Sequence, residues 1–562
     1  MLLSSGGNWR LLAAFGVFSF LALSLAHSGR PAMFDEWYWL WGAKGILSEG
    51  VPVFYNDSGT PRFEGTGHPP LYTYLVAFTA WATSDYQKTK LLGIAFFLGT
   101  LFLTFKTAKI VFGERTAWIS ASLLSLAPFS VVGSTLIDPD TTTLPFFLSL
   151  FAFYYTKSIN EKHPQTNLLS ASLTLVFWSK FQGILFPLSS LAFHALRNDK
   201  TGVKRSFYLL AAGAALFFFT WTVFSSFTGL NFYCPFQHNS PFKMGCPSET
   251  LGGSGLFSFS DSKALPALGV ARSLAFWLSP FFFLFFFAAL RSNLTGFSKV
   301  NEKTGVIASY SLLGLLFVLL AGVGFSGLPK YFFSVLPFAS MLAASFVAKI
   351  DWENFSNPVL FLSFAFFSVL YYSLGDPLLL NALPRELLKD PHSVYDFAVR
   401  TIGLLAVIVS APVLFSAARS SLSGKKLTID SIAAFSFIAM IAFFASLNAI
   451  HAQATYSLVY YYGEGGLVDA TDFASTLKGS IEGAVIAPSE FFWPLGSPKT
   501  YLPLLFSKPE SQVVLPADLE VVVLRQREYS YYGYDLRGLL ERNSFHLMES
   551  VGDFDFYEKV TE

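Results

Sequence analysis

Two acidic pairs and two separate lysines are the side chains in this sequence with the clearest capacity for chemistry. Asp35 and Glu36 lie in "MFDEWYWLWGAKG", directly after an apolar run, and Asp138 and Asp140 lie in "STLIDPDTTTLPF", between two more. Lys180 stands in "FWSKFQG" and Lys330 in "GLPKYFFSVLP", each opening a further apolar stretch. Carboxylates at a lipid boundary are costly unless a cation or donor lies near them. Gathered on one membrane face, carboxylates and ammonium groups suit an anionic lipid headgroup and a hydroxyl nucleophile: phosphate takes the lysines, and a carboxylate takes the hydroxyl proton. Taken singly, each feature has a plainer reading. "FDEW" opens a helix whose dipole favours acids, "DPDTTT" forms a turn with an N-cap, and lysines at span ends snorkel to the interface. His68, before Pro69 and Pro70, reads as a loop residue.

The elements that must position these groups are membrane helices. Of 562 residues, 53% are hydrophobic and only 13% charged, and apolar runs of spanning length recur to about residue 448. A net charge of +1 suggests neither nucleic acid nor another bulk electrostatic partner. Spans are expected at Trp9 to His27, Lys88 to Val111, Thr116 to Val132, Thr141 to Tyr155, Asn167 to Trp178, Phe181 to Leu196 and Phe207 to Phe224. They continue at Ser273 to Leu290, Val306 to Gly322, Tyr331 to Val347, Pro358 to Tyr372, Thr401 to Ala418 and Ile432 to Leu447, giving a polytopic α-helical fold of about thirteen helices. The first run is a retained helix, not a cleaved signal.

Pro69 to Ser84 is apolar but short and aromatic, and reads as an interfacial helix. Counting it as a crossing would put the basic loops outside. With it in the plane and the N-terminus inside, the inner loops collect Arg10, then Lys106, Lys109 and Arg115, then Arg197, Lys200, Lys204 and Arg205, and further clusters behind them. Residues 28–87, 225–272, 373–400 and everything after 448 then face out, and both acidic pairs, Lys180 and Lys330 fall on that one face. Trp37, Trp39 and Trp41 would anchor the first outer loop at the interface. Cys234 and Cys246 lie in the second, where an oxidising compartment permits a disulfide and a reducing one leaves two thiols.

The chain thus divides at about residue 450 into a membrane domain, 1–450, and a small extracytoplasmic α/β domain, 451–562. The latter offers helices at "DATDFASTLKG" and "DLRGLLERN" and strands at "GAVIAP", "SQVVLP", "LEVVVL" and "DFDFYEKV".

The order of a helix, "DEWYWLWGAKGILSEGVPVFYN", "GHPPLYTYL", two helices and "LIDPDTTTLPFFLSLFAFY" resembles the GT-C class of membrane glycosyltransferases. The parallels are the dolichyl-phosphate-mannose protein mannosyltransferases and the bacterial aminoarabinose transferases of lipid A. "GLPKYFFSVLPFASMLAA" is similar to a late motif of that group, and the likeness runs over most of residues 9–350. The resemblance implies inverting transfer of a sugar from a polyprenyl-phosphate donor to a protein, lipid or glycan acceptor, at the extracytoplasmic face of a cell membrane. It implies that Asp35 is the base, that Glu36 orients or assists, and that Asp138 is a second catalytic acid. Lys180 and Tyr331 would hold the leaving phosphate, with His68, Asp140 and Lys330 as further substrate-binding residues. Two departures, Tyr38 where the aminoarabinose enzymes place arginine and His68 where they place lysine, favour a neutral hexose over an aminoarabinose donor. No cofactor is expected, although "DPD" at 138–140 has the Asp-x-Asp spelling that some members of the class use for a divalent metal.

A transporter or lipid flippase is the alternative from another class. It would place ionisable residues near the midplane in paired halves, whereas the charges here sit at span ends. A noncatalytic scaffold is a third reading, resting on the tyrosine-rich "YSLVYYYGEGG" and "REYSYYGYD" of the C-terminal region. Those tyrosines could equally pack the domain.

Overall fold

The computed structural model describes residues 7–28, 32, 35–52, 54–55, 61–62, 69–159, 166–229, 280–295, 300–321, 330–349 and most of 466–560. Helix α1 (Gly7–Ser28) takes the first apolar run whole. Two short helices, α2 (Asp35–Glu49) and α3 (Leu71–Thr83), occupy the first outer region, with a small antiparallel pair, β1 (Phe54–Tyr55) and β2 (Pro61–Arg62), between them. At 13 residues α3 is about 20 Å long, short of the ~30 Å hydrocarbon core. It buries Tyr72, Val76 and Ala77 against the protein and exposes Phe78 and Trp81.

The bundle continues with α4 (Thr89–Phe112), which ends at Gly113 (φ +93°), and α5 (Glu114–Leu126). The expected span Thr116 to Val132 is interrupted. Pro128 has no N–H to offer a preceding turn, so Ala127 is extended and a new helix, α6 (Pro128–Ser134), starts at the proline. Then follow α7 (Thr143–Ser158), α8 (Thr166–Ser179), a 3-10 turn at Phe181–Ile184, α9 (Leu185–Leu196) and α10 (Lys200–Thr228). Helices α11 (Pro280–Thr295) and α12 (Glu302–Ala321), a 3-10 turn at Lys330–Ser334 and α13 (Leu336–Val347) complete the described bundle.

One continuous apolar core joins these helices, with Phe333 packed edge-on against Phe129. The protein is a polytopic α-helical membrane protein: among the described residues, Thr89–Phe112, Lys200–Thr228 and Glu302–Leu319 are long and apolar enough to cross a bilayer. Other expected spans fall on shorter helices, some of them bounded by a proline or a 3-10 turn. The last three, Pro358 to Tyr372, Thr401 to Ala418 and Ile432 to Leu447, lie outside the described residues.

Charge separates the two ends of this bundle. Arg10 of α1 and Lys109 of α4 pair with Glu114 of α5 at 2.9 and 3.1 Å, and Arg205 of α10 pairs with Glu302 of α12. Asp138, Lys180 and Lys330 occupy turns at the opposite ends of helices in the same bundle.

The C-terminal domain is a three-layer α/β unit. Its elements are α14 (Leu467–Thr476), β3 (Ala484–Ile486), α15 (Phe492–Leu495), β4 (Lys499–Tyr501), β5 (Leu519–Arg525), α16 (Leu536–Arg542), β6 (Phe545–Val551) and β7 (Phe554–Lys559). The sheet order is β4-β3-β5-β7-β6, with β4, β3 and β5 parallel and β7 and β6 antiparallel. α14 covers one face and α16 the other, so central β5 is a nearly unbroken apolar run. "SQVVLP" is not a strand. Pro509 and Pro516 bracket it, and it holds a 3-10 turn at Glu510–Gln512 followed by irregular chain. β4 and β6 were not anticipated, because one is three residues long and the other, "FHLMESV", mixes exposed and buried positions without clean alternation.

Candidate active site

The turn between α6 and α7 folds around Asp138. The Asp138 Oδ1 atom accepts the N–H of Asp140 at 2.8 Å, and its carbonyl accepts the hydroxyls of Thr141 and Thr142 at 3.2 and 2.7 Å. This is the local side-chain bonding that Asp and Thr offer a turn. Thr142, not an aspartate, occupies the N-cap of α7. Both carboxylates are therefore available for longer-range partners, and both are buried.

Each carboxylate takes one lysine. Lys330 Nζ donates to Asp138 Oδ2 at 2.8 Å, and Lys180 Nζ donates to Asp140 Oδ2 at 2.5 Å. Gln182 Nε2, two residues beyond Lys180, donates to Asp140 Oδ1 at 3.0 Å. The extended backbone of Lys180, between α8 and the 3-10 turn, aims its side chain back into the bundle. Lys180 and Lys330 are only 6% and 8% exposed, so neither snorkels to the surface. Their ammonium groups approach the Tyr331 ring, 4.7 and 5.4 Å from its centroid. Three segments distant in sequence thus converge on one aromatic residue.

Electrostatics distinguish the two pairs. Burial alone would raise Asp138, but Lys330 and Lys180 outweigh it and hold that carboxyl below its ordinary range. Burial pushes Asp140 up to about 6 against the pull of Lys180. The same burial works against the Lys180 ammonium, yet Asp140 and Tyr331 more than offset it and its pKa is raised.

The first acidic pair reaches this turn through α2. Asp35 is the first residue of α2, and Glu36, 1% exposed, accepts the backbone N–H of Ile137 at 2.8 Å. That bond fixes the helix start beside Asp138. Two of the three tryptophans behave differently from the expected interfacial anchors: Trp39 is buried edge-on against Tyr72, and Trp41 packs on Phe492 of the C-terminal domain. His68, Cys234 and Cys246 lie outside the described residues.

Sequence reading missed Gln182 and Lys90. Lys90 is fully buried at the head of α4, directly before the apolar run that begins at Leu91, where nothing in the sequence sets it apart from Lys88. As to a metal, Asp138 and Asp140 are each engaged by lysine. Among the described residues the grouping of three metal-capable side chains is His194, Asp199 and Glu302, with ligand atoms within 4.8 Å of one another, at the other end of the bundle. The tyrosines of "REYSYYGYD" include Tyr529 and Tyr534, which hydrogen-bond Asp555, Tyr557 and the Phe506 carbonyl and so pack the domain itself.

Residues 67–224 match the family model described as dolichyl-phosphate-mannose-protein mannosyltransferase. Comparison with curated proteins gives no match. The whole fold is similar to the crystal structure of ArnT from Cupriavidus metallidurans bound to undecaprenyl phosphate, with a TM-score of 0.61 at 14% identity over 99% of each chain. It is also similar to the apo oligosaccharyltransferase of Archaeoglobus fulgidus, with a TM-score of 0.52 at 12% identity over 99% of this chain and 75% of that one. At these identities the likeness is one of fold, and it extends over both the helical bundle and the C-terminal domain.

Proposed function

We propose that the protein is an inverting glycosyltransferase that moves a sugar from a polyprenyl-phosphate donor to an extracytoplasmic acceptor. The observation that carries this reading is the convergence of two buried Asp–Lys pairs on Tyr331, with Glu36 tied to the same turn. Ammonium groups held in place beside carboxylates suit a phosphate that gains charge as it leaves. The similar ArnT structure binds undecaprenyl phosphate, a lipid of that chemistry.

In the proposed reaction the acceptor hydroxyl gives its proton to the Asp35 carboxylate and its oxygen attacks the sugar C1. The C1–O bond to phosphate breaks, and the electron pair leaves with the phosphate. One displacement inverts C1. Glu36 orients the start of α2, Asp138 and Asp140 fix the lysines, and Lys180, Lys330 and Tyr331 receive the phosphate, with His68 in the first outer loop as a further contact. The donor sugar is a neutral hexose and the chemistry uses no metal.

About thirteen spans form a membrane domain over residues 1–450, with outer loops at 28–87 and 225–272. Residues 451–562 form the extracytoplasmic domain. The Arg10–Glu114–Lys109 end faces the cytoplasm by the positive-inside rule, which puts the Asp–Lys pairs outside. Cys234 and Cys246 then share an oxidising side, which permits a disulfide between them.

Native mass spectrometry of the purified protein with undecaprenyl phosphate tests the site. Wild type is expected to retain the lipid and Lys180→Met to bind it at least about tenfold more weakly. Equal retention by both would remove Lys180 from the phosphate site.

A further inference from the structure

The C-terminal domain grips α2, the helix that carries Asp35 and Glu36. Lys44 Nζ donates to the backbone carbonyls of Phe492 and Ser497, at 3.2 Å for the first. On the same face of α2, the Leu40 carbonyl accepts Trp493 Nε1–H at 3.2 Å. Tyr86 and Trp41 flank the contact by packing on Trp493 and Phe492. The grip continues into the sheet: the buried Ser497 hydroxyl bonds the carbonyls of Gly483, beside β3, and Lys499, in β4.

At the other end of α2, Glu36 is bonded to Ile137 next to Asp138. The helix is unbroken over its 15 residues, about 22 Å, with Gly42 the one glycine between Glu36 and Lys44, so a displacement at one end is carried to the other. We propose that Lys44 is a positioning residue, through which the C-terminal domain sets the placement of α2 and of the carboxylates at its start during transfer. This rests on the glycosyltransferase reading for its kinetic consequence, but not for the mechanical coupling.

A purely structural lysine here would be easy to replace. Burial and the nearby Lys478 ammonium already pull its pKa down to about 8, so methionine keeps the stem and removes a costly charge. The test uses the full-length protein in detergent or nanodiscs, comparing wild type with Lys44→Met, Lys44→Arg and Trp493→Phe. Steady-state transfer and amide hydrogen exchange are both measured.

Lys44→Met is expected to lower kcat about tenfold to a hundredfold with donor KM little changed. Exchange across Asp35–Glu49 should quicken while the bundle helices keep wild-type protection. Trp493→Phe should shift both readouts the same way to a smaller degree, and Lys44→Arg should recover most of kcat. Wild-type kcat in Lys44→Met, or a loss of kcat with unchanged exchange over Asp35–Glu49, would overturn the proposal. If the wild-type protein transfers no sugar, the glycosyltransferase reading fails, and exchange alone then decides the coupling: unchanged protection in Lys44→Met overturns it.

Discussion

Glu36 separates orientation from acid–base chemistry at a single position. Its carboxylate holds the Ile137 N–H, a bond that a carboxamide oxygen can also accept. Glu36→Gln is therefore expected to keep transfer within a fewfold of wild type, whereas Glu36→Ala, which orphans a buried N–H at a cost of about 1–3 kcal/mol, should reduce it severely. A Gln variant as inactive as the Ala variant would show that the charge itself is needed. Asp140 supplies a pH signature. With its pKa near 6, the carboxylate is lost as pH falls through that value and the Lys180 ion pair goes with it, while above it the pair stands. Transfer measured against pH should show an acid limb near 6 that disappears, at lower overall activity, in Asp140→Asn. A limb that stays in place in that variant would assign it to another group. The residue types were legible in the sequence, and so was their common side. Their pairing was not: nothing in "DPD" states that one aspartate meets Lys330 from 192 residues away and the other Lys180 from 40.

At the scale of elements, the site turn is held by close backbone approach. A Cβ on Gly93 of α4 would lie 2.3 Å from the Ser134 carbonyl oxygen at the end of α6 and 3.1 Å from the Thr142 methyl. Backbone at that distance must move. Gly93→Val is expected to displace the 135–142 turn, lowering transfer by about 10²-fold while the protein still inserts and purifies as a monodisperse species. Wild-type turnover in Gly93→Val would show that the turn tolerates the shift. Helix existence was readable from apolar runs, and most expected spans fall on helices. The breaks were less so. Pro128 divides the expected span Thr116 to Val132 and α6 begins there, while 3-10 turns take the first residues of the expected spans Phe181 to Leu196 and Tyr331 to Val347, where Lys180 and Lys330 are presented. The first outer region holds no run of spanning length, yet α2 forms there, stabilised by packing on α3 and on the C-terminal domain.

For the whole molecule, the two ends of the bundle have different chemistry: basic turns with surface ion pairs at one, buried Asp–Lys pairs under α2 and the C-terminal domain at the other. This polarity is what a reaction confined to one membrane face requires, and lysine and arginine counts in the sequence disclosed it before any contact was known. The α/β domain was anticipated from its valine-rich strands, but its docking on α2 was not, since the Lys44 contacts are to backbone carbonyls, which carry no sequence signal. The most direct measurement is mass spectrometry of polyprenyl-phosphate sugars and surface glycans in cells lacking the protein, complemented by wild type or by Asp35→Asn. The account predicts that one glycan loses a sugar while its lipid-linked donor accumulates, that wild type restores both, and that Asp35→Asn, with transfer reduced about 10²- to 10⁴-fold, restores neither. Unchanged donor and glycan pools, or full restoration by Asp35→Asn at normal protein level, would contradict it.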